Sequence, residues 1–201
     1  MERLKRKHRT KLLIHIRAPV VTTSQNEEGS QDENTDTKML IGEETKALRP
    51  NVQFDSIRGG KLSLDQWIGH PLLVVNTASK CGFTDQYKSL QTLYDKYRNR
   101  GLVVLAVPSN DFKQELSSDD EVREFCEIHY GTDMPMTTIT HVKGADAHPF
   151  YKVLKRDENY LPKWNFSKVL IGPNGGIIGT YSSDILPMSS QILSDIEAVL
   201  N

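Results

Sequence analysis

Cysteine is scarce in this chain: Cys81 and Cys126 are the only two among its 201 residues. Two cysteines are too few for a disulfide framework, and a structural zinc site needs four closely spaced ligands. The six histidines show no metal-ligand spacing either. We therefore expect neither a metal site nor a bound cofactor, and each cysteine must be explained by its own chemistry.

Long apolar runs and an excess of charge are also missing. No stretch approaches the roughly 18 apolar residues that span a bilayer. The formal net charge is -1, which provides no basic surface for the phosphates of a nucleic acid. The sequence therefore predicts no membrane span and no nucleic-acid partner.

The beginning of the chain lacks the apolar residues that a folded core requires. Residues 1–17 are rich in Lys and Arg, whereas residues 22–46 are polar and acidic. Such a composition predicts a disordered leader over residues 1–48, followed by a globular domain over residues 49–201. The apolar part of the leader is shorter than the ~7–15 residues of a secretory signal. We expect a cytoplasmic location, and the basic start leaves organellar targeting open.

The globular part alternates apolar runs with segments of helical periodicity. A Gly59-Gly60 turn predicts a hairpin of two short strands, and a short helical turn follows it. Strands are predicted at 71–77, 102–107, 136–142, 168–171 and 176–181. Helices are predicted at 85–100, with Thr84 as N-cap and Gly101 as stop, at about 119–130 behind a Ser118/Glu121 capping box, and at 189–200.

This order predicts an α/β protein with a central mixed sheet flanked by helices and preceded by an N-terminal β-hairpin. A β-α-β-α-β-β-α order, with the candidate nucleophile after the first central strand, is that of the thioredoxin fold. Cys81 falls between the first central strand and the first helix. There the free N–H groups and the helix dipole favour a thiolate, which is the reactive form of sulfur.

The surroundings of Cys81 restrict its chemistry. A disulfide reductase of this fold needs a C-x-x-C pair, but the third residue after Cys81 is Thr84. A copper-delivery protein would also need paired cysteines. Attack of a single thiolate on a peroxide, which forms a sulfenic acid, fits what remains.

Three blocks of sequence resemble the glutathione peroxidase family. They are Asn-Thr-Ala-Ser-Lys-Cys-Gly-Phe-Thr at 76–84, Val-Pro-Ser-Asn-Asp-Phe at 107–112 and Lys-Trp-Asn-Phe at 163–166. The resemblance extends over residues 52–200, with the blocks in the family's order. Peroxiredoxins, the nearest rival, have a proline upstream of their cysteine that is missing here.

The resemblance implies a set of catalytic residues. Cys81 becomes the peroxidatic residue, supported by Gln114, Trp164 and Asn165. The indole and amide groups can donate hydrogen bonds to the thiolate sulfur. The loop before Gln114 is one residue shorter than in the family, because only Lys113 separates it from the preceding block.

Cys126 is the candidate resolving cysteine, because thioredoxin-dependent members of the family have a cysteine on this helix. An ordinary buried core cysteine is the alternative. Residues 150–163 are too few for the assembly loop of tetrameric, glutathione-using members. We therefore expect a monomer recycled by thioredoxin through a Cys81–Cys126 disulfide, or else by glutathione.

Two other functions fit the same residues. In a peroxide sensor or redox relay, the oxidised thiol would pass its oxidation to a partner protein. In a binding module of the same fold, Cys81 would have no chemical role. The sequence favours a peroxidase that reduces hydrogen peroxide or organic hydroperoxides.

Overall fold

The structure is a computed structural model that describes residues 51–200. The predicted leader over residues 1–48 lies outside this range. The strands are β1 (Gln53–Asp55), β2 (Lys61–Ser63), β3 (Leu72–Thr77), β4 (Val103–Pro108), β5 (Lys168–Ile171) and β6 (Ile177–Tyr181). The α-helices are α1 (Gln86–Tyr97), α2 (Asp119–Tyr130), α3 (Pro149–Glu158) and α4 (Ser190–Glu197), with short 3-10 helices at Leu64–Trp67 and Arg98–Arg100.

The central sheet has four strands in the order β4-β3-β5-β6. β3 and β4 are parallel, whereas β5 is antiparallel to both β3 and β6. β1 and β2 form a separate antiparallel hairpin. The predicted mixed sheet and N-terminal hairpin are therefore confirmed.

The central strand β3 is buried along its whole length and contributes to a core on each face of the sheet. Leu73 and Val75 pack on the face that holds Cys81, α1 and the inner side of α2. Leu72 and Val74 pack on the other face, with the hairpin and α3. This alternation follows from the period of two in a strand, and it places the reactive cysteine on one defined side of the sheet.

Local signals set the ends of the helices. Ser118 caps α2 by accepting the N–H of Glu121 at 3.3 Å, as predicted. In a capping box the Glu121 carboxylate would accept the N–H of Ser118. Here it accepts the N–H of Ser117, one residue earlier, at 3.1 Å. α1 continues as a 3-10 turn that stops at Gly101, whose φ of 97° favours glycine.

The predicted strand at 136–142 is wrong. Only single bridges occur there, from Met136 to Ala106 and from Thr137 to Ser56. The hydroxyls of Thr137 and Thr140 both donate to the carbonyl of Thr138. Such local side-chain bonds compete with a strand ladder and turn the chain away from the sheet.

Helix α3 was not predicted from the sequence. His148 caps it through Nδ1, which accepts the N–H of Phe150 at 3.3 Å, and Pro149 occupies the first turn. Proline at this position is a known start signal, because its missing N–H would be unpaired there anyway. No helix in the part of the chain that the structure describes has the length and apolar composition to cross a bilayer.

Candidate active site

Cys81 lies on the turn between β3 and α1, as predicted. Four residues separate it from the start of α1, so its sulfur faces the N–H groups of the turn rather than those of the helix. Sγ accepts the N–H of Phe83 at 3.4 Å. The residue is 9% exposed, and its two neighbours in the chain, Lys80 and Gly82, are exposed.

Thr84 closes this turn and does not cap α1. Its Oγ1 accepts the N–H of Cys81 at 3.0 Å and lies within donating distance of two carbonyls, that of Cys81 at 2.6 Å and that of Ala78 at 3.0 Å. Asp85 occupies the N-cap position and makes no side-chain cap bond. The predicted N-cap is therefore wrong, because the Thr84 hydroxyl is already engaged by the backbone of the preceding turn.

The segment after β4 runs beside the Cys81 turn and holds it from a second side. The carbonyl of Gln114 accepts the N–H of Lys80 at 2.8 Å. Oε1 of Glu115 accepts the N–H of Ser79 at 3.0 Å. Lys113, the single residue between Phe112 and Gln114, adopts a φ of 59°, and after this left-handed turn the backbone of Gln114 bonds Lys80, the residue before Cys81.

Gln114 and Asn165 lie in direct contact. Nδ2 of Asn165 donates to Oε1 of Gln114 at 2.9 Å, and Asn165 is fully buried. The structure thus brings together two of the predicted site residues from segments 51 positions apart. Complete burial also argues against glycosylation of the Asn165-Phe-Ser sequon.

Trp164 lies at the rim of this region and is 42% exposed. Its ring packs on Phe112 at 5.3 Å between centroids, and its carbonyl accepts the side-chain amide of Asn76 at 3.0 Å. Within residues 51–200, neither the Trp164 indole nor the Asn165 amide donates to the Cys81 sulfur. In this arrangement the hydrogen bond at the sulfur comes from the backbone of Phe83.

Cys126 lies on the inner face of α2 and is 1% exposed. It belongs to the same apolar core as Cys81, and both are free thiols. Burial raises the pKa of the Cys126 thiol to about 12, with smaller contributions from the carboxylates of Glu115 and Glu127, and the Tyr87 hydroxyl opposes them. The thiol is therefore protonated and inaccessible while α2 is intact.

Glu115 is a site residue that the sequence analysis missed. It is 6% exposed, and desolvation raises the pKa of its carboxyl group. The sequence indicated Glu115 only through its position directly after Gln114. Among the described residues, no three His, Cys, Asp or Glu side chains are grouped closely enough to hold a metal ion.

A single reactive cysteine on the first strand-to-helix turn of this sheet defines a thiol enzyme of the thioredoxin fold. The chain resembles a solved thiol:disulfide interchange protein of the thioredoxin family from Chlorobium tepidum with a TM-score of 0.57. That comparison covers 77% of this chain and 97% of the other at 13% identity, so it concerns the fold alone.

The family model for glutathione peroxidase matches residues 51–155. The glutathione peroxidase-like peroxiredoxin gpx1 of Schizosaccharomyces pombe is 44% identical over 137 residues, which are 66% of this chain and 85% of that protein. The crystal structure of apo Trgpx has a TM-score of 0.56 at 33% identity and covers 74% of this chain and 95% of its own. The chain belongs to the glutathione peroxidase family, and it is a thiol-dependent peroxidase.

Proposed function

We propose that the chain reduces hydrogen peroxide or organic hydroperoxides through a sulfenic acid on Cys81. The observation that carries this proposal is the Cys81 turn, with the Phe83 N–H directed at Sγ and the Gln114–Asn165 pair alongside. The thiolate attacks one peroxide oxygen, the O–O bond breaks, and an S–O bond forms. The departing oxygen takes up a proton and leaves as water or an alcohol.

The three partner residues stabilise charge on that departing oxygen. Asn165 is held in one orientation by Gln114, so its amide is preorganised to donate when a peroxide enters. The Trp164 indole N–H supplies a donor at the exposed rim. These roles come to Gln114, Trp164 and Asn165 from the family resemblance, and the hydrogen bond between Gln114 and Asn165 supports a common site for those two residues.

Recycling requires a second thiol, and Cys126 is the one available. A disulfide needs Cα atoms within about 7 Å and a reactive thiolate. Because Cys126 is buried on a helix with a raised pKa, α2 must open locally before Cys126 can attack the Cys81 sulfenic acid. The resulting disulfide would be reduced by thioredoxin, with glutathione as the other candidate reductant.

Single-turnover oxidation tests the peroxidatic role. Wild-type protein should form one sulfenic acid per chain, trapped by dimedone and counted by mass spectrometry. Cys81→Ser should abolish peroxide consumption, since no other thiol in the described domain is accessible. If Cys81→Ser consumes peroxide as quickly as the wild type, Cys81 is not the nucleophile.

Steady-state turnover with each reductant tests recycling. Cys126→Ser should oxidise once at the normal rate but lose more than 90% of turnover with thioredoxin. Unchanged thioredoxin turnover in this variant would exclude Cys126 as the resolving residue. Sedimentation at working concentration tests the proposed monomer.

The relay function is not favoured, because the similar proteins are named as peroxidases and peroxiredoxins. If the oxidised protein oxidises a partner protein faster than it oxidises thioredoxin, the relay function becomes the better interpretation.

A further inference from the structure

The Trp164 ring packs on Phe112, a residue that the proposed chemistry does not use. The two ring centroids are 5.3 Å apart, and the ring planes are tilted by 53°. Phe112 is partly buried and packs against the core on the face of the sheet opposite Cys81. Aromatic pairs of this kind favour a defined arrangement of their rings. Phe112 therefore links the exposed indole at the rim to a packed part of the molecule.

A lysine from a separate segment binds the ring of Phe112. Nζ of Lys143 lies over this ring, 4.1 Å from its centroid. A cation in this position is attracted by the negative face of the ring. Because Lys143 is exposed, the attraction has the modest size found at surface sites, and it changes an equilibrium about two- to fivefold.

Asp111, the residue before Phe112, fixes the backbone that carries this lysine. Oδ2 of its carboxylate accepts the N–H of Val142 at 2.6 Å and that of Lys143 at 3.0 Å. Oδ1 bonds Nδ1 of His141 at 2.7 Å. Burial raises the pKa of Asp111, but these three bonds together outweigh burial and lower the pKa, so the carboxylate is ionised. Three consecutive residues are thus held beside Phe112 by one carboxylate.

We propose that Lys143 is a positioning residue for Trp164 and that it acts through Phe112. The ammonium group holds the Phe112 ring in the orientation on which the indole packs. Without it, the ring leaves this orientation in a larger fraction of molecules, and the indole loses its support. The effect on the reaction rests on the function proposed for Trp164, whose indole N–H is a donor at the rim.

The test is Lys143→Met, which removes the charge and keeps an unbranched side chain. Trp67→Phe serves as the parent, so that all tryptophan emission comes from Trp164. We expect acrylamide to quench this emission more strongly after Lys143→Met, because the indole is less well held. Formation of the Cys81 sulfenic acid should slow about two- to fivefold.

Two further substitutions are the controls. Lys143→Arg keeps a cation over the ring and should match the parent in quenching and in oxidation rate. Lys96→Met removes a contact of the same kind, because Nζ of Lys96 lies 4.8 Å from the centroid of Tyr97 at the end of α1 farther from the Cys81 turn. This variant should also match the parent in both measurements.

A double variant separates the proposal from a direct effect of the charge on the thiolate or the peroxide. Phe112→Leu removes the ring, so the addition of Lys143→Met to it should slow Cys81 oxidation no further. If Lys143→Met slows oxidation equally with and without the ring, the charge acts directly and the proposal is overturned. Unchanged quenching in Lys143→Met overturns it as well.

Trp164→Phe makes failure of the proposed function separately visible. If this variant oxidises Cys81 at the wild-type rate, Trp164 has no part in the chemistry, and stronger quenching in Lys143→Met still supports the positioning of the indole. If Trp164→Phe slows oxidation but Lys143→Met does not, the proposal is overturned and the function of Trp164 stands.

Discussion

At the scale of single residues, the site is built from side chains that bind the backbone of the reactive turn. The Thr84 hydroxyl accepts a hydrogen bond from the N–H of Cys81, and the Glu115 carboxylate accepts one from the N–H of Ser79. Each of these buried bonds fixes a peptide plane of the turn in which the Phe83 N–H points at the sulfur. The chemistry of Cys81 thus depends on residues that do not touch the sulfur.

Thr84→Val removes the hydroxyl with almost no change of shape. We expect sulfenic acid formation on Cys81 to slow about 10- to 100-fold, because small displacements of a reacting atom have effects of this size. Loss of a buried hydrogen bond should also lower the free energy of unfolding by about 1–3 kcal/mol. Stopped-flow oxidation and urea unfolding measure the two effects.

The comparison variant is Thr84→Ser, which keeps the hydroxyl. It should oxidise within about threefold of the wild type. Equal rates for the valine and serine variants would show that the hydroxyl does not position Cys81.

At the scale of elements, apolar runs were sufficient for the buried strands, and helical periodicity was sufficient where one face of a helix is buried. The strands of the central sheet and helices α1, α2 and α4 follow their predicted order for these reasons. The segment 136–142 has strand-like residues, but its threonine hydroxyls bond locally, and sequence alone does not show which partner a hydroxyl selects. Helix α3 depends on a histidine cap, a signal weaker than the usual Ser, Thr, Asp or Asn.

The site was predicted to a similar extent. Family motifs predict Cys81, Gln114, Trp164 and Asn165, and the structure places Gln114 in contact with Asn165. The functions of Thr84 and Glu115 depend on which backbone N–H lies within reach after folding. That information arises from the packing of two distant segments, so no local pattern contains it.

His148 should make the stability of α3 and the hairpin depend on pH. Its Nε2 bonds the carbonyl of Gln53 in β1, and its Nδ1 caps α3 only when unprotonated. Burial lowers the pKa of His148, and the hydrogen bond to the Gln53 carbonyl and the nearby Asp55 oppose this only in part. The unfolded chain then binds the proton more readily, so the stabilisation is complete above pH ~6.5 and is lost as the pH falls below it.

Urea unfolding at pH 7.5 and pH 5 measures this dependence. The loss of stability should be larger in the wild type than in His148→Asn, whose amide oxygen can cap α3 without titrating. The same loss in both proteins would assign the pH dependence to groups other than His148.

At the scale of the whole molecule, the sheet separates a reactive core from a purely structural one. Cys81, Cys126 and Tyr87 share one face with α1. Leu105 of β4 packs on the other face with the hairpin and α3. The two cores contribute to the same fold, but only one surrounds the thiols.

Two leucine truncations should separate stability from reactivity. Leu105→Ala and Leu90→Ala each remove a fully buried side chain, so each should lower the free energy of unfolding by about 2–5 kcal/mol. Leu90 lies on α1 in the same core as Cys81. At a temperature where both variants are folded, Leu90→Ala should therefore slow Cys81 oxidation severalfold, whereas Leu105→Ala should not. Equal oxidation rates in the two variants would contradict this division.

The exposed indole of Trp164 gives the protein an optical probe of its own. The chain has only two tryptophans, and the other, Trp67, lies on the short 3-10 helix that packs with the opposite core. Emission from an indole at the rim of the reactive region responds to the polarity around it. We therefore expect oxidation of Cys81 to change this emission, which would follow the reaction without a label and without a coupled enzyme.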